Sequence, residues 1–92
     1  MKFVIAVGDA DKHVVEFNFN QLLGALVILV DDRSVFKSKR IFNEPVHEVY
    51  RFVIEGREKT DVRIEQRRKP LFGHRNSVYA NNRLIGVFDR YF

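Results

Sequence analysis

The chain has no cysteine and no tryptophan, one methionine and two prolines, and only five glycines in 92 residues. Without cysteine there is no disulfide framework and no thiolate zinc site, the staples on which small secreted domains often depend, so the reading favours the cytoplasm. Few prolines and glycines beside nine phenylalanines and three tyrosines describe a chain dense in strands, not a linker or a collagen-like repeat. Long apolar runs are missing too. The longest, Leu22 to Val30, is nine residues interrupted by Gly24, about half of the ~20 that a membrane helix requires, and it reads as a buried strand. At the amino end, Phe3 to Val7 follows a single lysine and is too short for the core of a signal peptide. What is present, 46% hydrophobic and 30% charged residues, is ordinary globular usage, and this length makes one small domain, so a single β domain over 1–92 is expected.

Apolar residues recur mostly with period two, the spacing of strands with one face in a core and one in water, and helix has no clear place. Val15, Phe17 and Phe19 alternate with Glu16, Asn18 and Asn20, predicting a strand at 13–20 with its odd positions buried. Gly8 to Lys12 reads as the turn joining it to a first strand. Ala25 to Val30 is closed by Asp31-Asp32-Arg33-Ser34, a turn-prone tetrad before a strand from Val35 to Phe42. Val46, Tyr50, Phe52 and Ile54 share one parity; the turn Glu55-Gly56-Arg57-Glu58 follows, and Val62 and Ile64 return on the buried face against Asp61, Arg63, Glu65 and Arg67. Pro70, Gly73, His74 and Asn76 predict an irregular connection. A last hairpin runs from Ser77-Val78-Tyr79-Ala80 through Asn81-Asn82 to Leu84–Phe88, with a carboxyl end from Asp89 onward that frays. The expected architecture is a single antiparallel β-sandwich or flattened barrel of about eight short strands joined by hairpins, without linkers or internal repeats. Its core is expected from Val15, Phe17, Phe19, Leu26, Ile28, Val30, Phe52, Ile54, Val62, Ile64, Tyr79, Ile85 and Val87.

The string of hairpins, in particular His13-Val14-Val15-Glu16-Phe17, Val30-Asp31-Asp32, Tyr50-Arg51-Phe52-Val53-Ile54-Glu55-Gly56 and Val78-Tyr79-Ala80-Asn81-Asn82, resembles the β-domains of the Fas apoptotic inhibitory molecule family. The resemblance is one of pattern and runs from His13 to Phe88. It implies an eight-stranded antiparallel sandwich that works by binding partners, with no catalytic residues to carry over. Asp32 and Asn82 depart from it, standing where that family tends to place glycine.

Charge is the most informative feature. Residues 1–32 carry two Lys and five acids, a net of −3, whereas 33–92 carry 14 Lys plus Arg and seven acids, a net of +7. Within 57–75, Arg63, Arg67, Arg68, Lys69 and Arg75 are candidates for binding the phosphates of a nucleic acid or another anionic surface, with Phe72 and His74 as stacking partners for bases. The competing reading is a solvated strand face on which Arg63 and Arg67 flank Glu65 in ion pairs that serve solubility. Lys37, Lys39 and Arg40 read as guards of an edge strand. His13, His47 and His74 lie 34 and 27 residues apart, no local zinc pattern, so no metal site is expected. Asp9-Ala10-Asp11 lacks the glycine and glutamate of a calcium loop, since Val14 and Asn20 stand there. With no cysteine and with Ser34, Ser38, Thr60 and Ser77 outside any triad-like context, and with Asp31-Asp32 better suited to a turn than to acid–base work, no catalytic residue and no cofactor are expected. The reading is therefore a non-catalytic protein-interaction module, with a nucleic-acid or anionic-surface binder through 57–75 as the alternative. Phe36, Phe42, Phe72 and Phe92 at the surface are consistent with a homodimer.

Overall fold

The computed structural model describes residues 2–8, 11–20, 25–39, 47–69 and 73–90, and every regular element among them is a strand. These are β1 (Lys2–Val7), β2 (His13–Asn20), β3 (Ala25–Val30), β4 (Arg33–Lys39), β5 (His47–Glu55), β6 (Lys59–Arg68), β7 (His74–Ala80) and β8 (Arg83–Arg90). They form two antiparallel four-stranded meanders, β1-β2-β3-β4 and β5-β6-β7-β8, and the chain divides between them into two compact units, Met1–Glu44 and Pro45–Phe92. No helix among the described residues is long and apolar enough to cross a membrane. The all-β class and the eight strands, hairpin-joined within each sheet, are those that the period-two pattern leads one to expect.

In the first unit the alternation is clean: Phe3, Val7, Val15, Phe17, Phe19, Leu26, Ile28 and Val30 are buried, and Phe3 stacks on Phe17 with ring centroids 4.8 Å apart. In the second unit Tyr50, Ile54, Val62, Ile64 and Val78 are buried, but so are Thr60, Gln66, His74 and Asn76. Three expectations are corrected there. His74 and Asn76 are not an irregular connection; they open β7, in register with Arg68 and Gln66 of β6. Phe52, Tyr79, Ile85 and Val87 are not core: Phe52 and Tyr79 are half-buried, Val78 is the buried apolar residue of β7, and Ile85 and Val87 are 36% and 49% exposed. The parity fails because polar residues occupy the buried positions of β7 and because β8 carries an extra residue, Ile85, where the pairing passes from Val78↔Gly86 to Tyr79↔Leu84. The chain beyond Phe88 does not leave the sheet, for Asp89 pairs with Arg75. In the first unit, β4 starts at Arg33 and not at Val35, because the turn is only Asp31-Asp32; the expected strand end at Phe42 lies outside the described residues, as do Arg40 and Pro70 to Phe72.

The two units repeat one pattern of pairing. Phe3↔Phe17, Ile5↔Val15 and Val7↔His13 recur 47 residues later as Tyr50↔Ile64, Phe52↔Val62 and Ile54↔Thr60. Ile28↔Phe36 and Ala25↔Lys39 recur 50 residues later as Val78↔Gly86 and Arg75↔Asp89, with the same one-residue bulge, Val35 in one unit and Ile85 in the other. Both tight turns put two residues at positive φ, Asp31 and Asp32 at 49° and 66°, Asn81 and Asn82 at 50° and 65°, as a type I′ hairpin demands. Each is stitched to the second strand in the same way. The Asp31 amide donates to the Val14 carbonyl at 2.9 Å while the Asp31 carboxylate accepts from the Val14 amide at 2.9 Å; Asn81 does both with Asp61, at 2.8 and 2.9 Å. Asp and Asn tolerate this left-handed backbone, and Asp31 and Asn81 supply an oxygen that a glycine could not. An internal repeat is thus present where the residue string suggests none, since only Lys12/Lys59, Val15/Val62 and Arg33/Arg83 are identical between equivalent described positions. The offset grows from 47 to 50 because the second unit has three more residues between the equivalents of Asn20 and Ala25, namely between Arg67 and Arg75.

Candidate anion-binding cleft

Strand alternation decides which of the candidate cations meet. Arg63, Glu65 and Arg67 share the exposed face of β6, and β7 and β8 place Arg75, Tyr79 and Asp89 on that same face. Arg63 is drawn away from any ligand. Its Nε lies 2.9 Å from Glu65 Oε2, an ion pair by distance, its Nη1 donates to Asn82 Oδ1 at 3.1 Å, and its guanidinium covers the Tyr79 ring at 4.2 Å. Glu65 also meets His47 Nε2 at 3.4 Å. The pairing of Arg63 with Glu65 is therefore real, whereas Arg67 makes no ion pair with the described residues.

At the far end of β6 a cleft of about 320 Å³ is lined by Arg67, Arg68, Lys69 and Arg75, four of the five cations singled out by charge. The register sets Arg67 directly opposite Arg75, a cross-strand arrangement of like charges that costs stability and is relieved by an anion. The connection is closed by the Lys69 amide donating to the Gly73 carbonyl at 3.0 Å, which holds Lys69 beside the strand ends. Asp89 answers part of the charge: Arg75 Nε and Nη2 donate to its two oxygens at 2.8 and 3.1 Å, and Lys69 Nζ lies 3.5 Å away. The Arg75 fork, and then Lys69, hold the Asp89 carboxyl below its ordinary pKa.

Of the proposed stacking partners, Phe72 lies outside the described residues. His74 is only 4% exposed, so its ring is not presented to a base; this corrects the expectation drawn from the sequence. Arg57 and Lys59 sit at the β5–β6 turn, the opposite end of a strand about 30 Å long. Lys37 is on β4 in the other unit. Among the described residues no group of three or more His, Asp and Glu side chains is arranged to hold a metal. His13 instead joins two carboxylates, Nδ1 to Asp31 Oδ2 at 2.6 Å and Nε2 to Asp11 Oδ2 at 3.2 Å, which raises its pKa, Asp31 first. Asp89 is the site residue that sequence reasoning missed. Its signal is positional only, since nothing marks it until the β7–β8 register is known.

The repeat supplies an internal control. At the positions equivalent to Arg67, Arg75 and Asp89 the first unit carries Asn20, Ala25 and Lys39, in the same register. The meander is therefore built without this charge, and the extra residues of the second unit fall in the segment that bears Arg68 and Lys69. No known protein family matches the chain, and no curated protein matches it.

Proposed function

We propose that this chain is a non-catalytic binding domain that takes a phosphate backbone, in the first instance a nucleic acid, at the cleft of Arg67, Arg68, Lys69 and Arg75. The observation that carries this reading is the opposition of Arg67 and Arg75 on adjacent strands within that cleft, at positions where the equivalent unit has Asn20 and Ala25. Charge of one sign gathered at a cost the fold does not require points to a ligand of the other sign. Contact with about three phosphates gives a log–log salt slope near −3, steep enough to separate this mode from apolar docking. The test is an anisotropy titration of labelled single- and double-stranded DNA at low and raised salt. Binding should weaken with salt and vanish when Arg67→Glu and Arg68→Glu are combined; no binding even at low salt rejects the reading.

A second reading has its own observation. β8 is an edge strand whose Leu84, Ile85 and Val87 are exposed, and an extended segment of a protein partner, or of a second copy, can add to such an edge. This is the interaction-module role that the family resemblance implies, and it predicts binding indifferent to salt. Either role fits the cytoplasm, where a chain without cysteine loses nothing.

A further inference from the structure

We infer that Asp89 is the specificity-determining residue of the cleft: it occupies the seat of the incoming phosphate, and a ligand binds by displacing it. The inference rests on the anion-binding reading and deepens it. Asp89 presents two oxygens to the Arg75 fork, at 2.8 and 3.1 Å, and one of them to Lys69 at 3.5 Å. Two parallel N–H···O bonds from one guanidinium are also the way arginine holds a phosphate, so the carboxylate marks where phosphate oxygens would sit. Two of the four lining cations are thereby engaged by an internal anion, whereas Arg67 makes no ion pair with the described residues. Arg67 is thus the point of entry, and Arg75 and Lys69 are released to the ligand only as Asp89 withdraws.

A tethered competitor acts at an effective concentration of the order of millimolar. An isolated carboxylate carries no more charge than Asp89 and gains nothing by the exchange. A run of phosphates does, because it brings further charges to Arg67 and Arg68 while replacing Asp89 at Arg75. The cleft therefore discriminates a run of phosphates from an isolated anion, and Asp89 makes the difference.

The experiment uses the whole chain and a short labelled duplex DNA. Asp89→Asn should tighten DNA binding several-fold and steepen the salt slope by about one unit. A second measurement needs no variant: the Asp89 carboxyl, followed by carbon NMR, should return toward its ordinary pKa when the protein is saturated with DNA. Unchanged affinity and slope in Asp89→Asn, or weaker binding, overturns the inference, and so does an Asp89 pKa that stays depressed in the complex. These failures are distinct from that of the underlying reading, in which neither the wild type nor Asp89→Asn binds DNA at low salt.

Discussion

The two halves of this chain share registers, turns and bulges and differ in what they do with them. The first unit, Met1–Glu44, carries six basic and six acidic residues, and every fully buried residue among its described positions is apolar. Pro45–Phe92 carries ten basic and six acidic residues, the entire net charge of +4, and sets Thr60, Gln66, His74 and Asn76 into its buried face. Phe19 and Leu26 of the first unit correspond to Gln66 and Asn76 of the second, and Gln66↔Asn76 is the row next to Arg67↔Arg75. Gln66, His74 and Asn76 inside and Arg67 and Arg75 outside therefore lie together at one end of one sheet, with Thr60 at the other end of β6. That concentration in one copy of a repeated meander separates what the fold needs from what has been added to it.

The contrast is most sharply broken at the buried faces. Phe17, fully buried and stacked on Phe3, should cost about 4 kcal/mol on replacement by alanine, read by urea unfolding, because a large cavity and a ring contact are lost together. At Gln66 the opposite sign is expected. Its side-chain Nε2 is buried and finds no hydrogen-bond partner among the described residues, so Gln66→Leu should stabilise by about 1 kcal/mol. A loss of similar size would instead show that the polar row is structural.

Smaller still is the effect of giving the cleft the residues of its counterpart. Arg67→Asn with Arg75→Ala removes a like-charge opposition and should leave thermal stability within about 0.5 kcal/mol of wild type, because each change removes only a modest cross-strand pair energy. DNA binding should be lost in the same protein. Retained binding would move the site away from β6 and β7.

Much of the fold is legible in the sequence, and the exceptions share one cause. Where buried positions are filled by apolar residues, as at Val15, Phe17, Leu26 and Ile28, period-two reading assigns strand, face and ends together. At His74 and Asn76 the buried residues are polar, so the sequence pattern there is that of a loop and the apolar parity falls on Tyr79. Tyr79 is instead held on the exposed face beneath the Arg63 guanidinium. The cations of the cleft were readable from charge density alone, but not that Arg63 is excluded by Glu65 and Asn82, nor that Asp89 stands among them, because both follow from cross-strand register. The repeat was illegible for a related reason: backbone pairing and turn bonds recur, while the side chains that a sequence displays do not.

The last contrast lies at the matched turns, where Asp31 has His13 as a partner and Asn81, with Thr60 at the equivalent of His13, has no titrating side chain as partner among the described residues. The Val14 amide first and His13 second hold the Asp31 carboxyl below its ordinary 3.8, and Asp31 then Asp11 lift His13 above 6.5. A raised histidine contributes stability that is complete below its unfolded pKa and is lost as pH rises through the folded value. A lowered carboxylate contributes stability that is complete above its unfolded pKa and is lost as pH falls through the folded one. The clasp is therefore whole between about pH 4 and 6.5 and weakens on both sides. His13→Thr, which imports the second unit's residue, should flatten the alkaline limb of a stability–pH curve measured by urea unfolding, while Asn81→Ala should lower the curve without changing its shape. If the wild type loses nothing as pH climbs past 6.5, or if Asn81→Ala alters the alkaline limb, the two turns are not distinguished by charge and the contrast between the units is confined to the cleft.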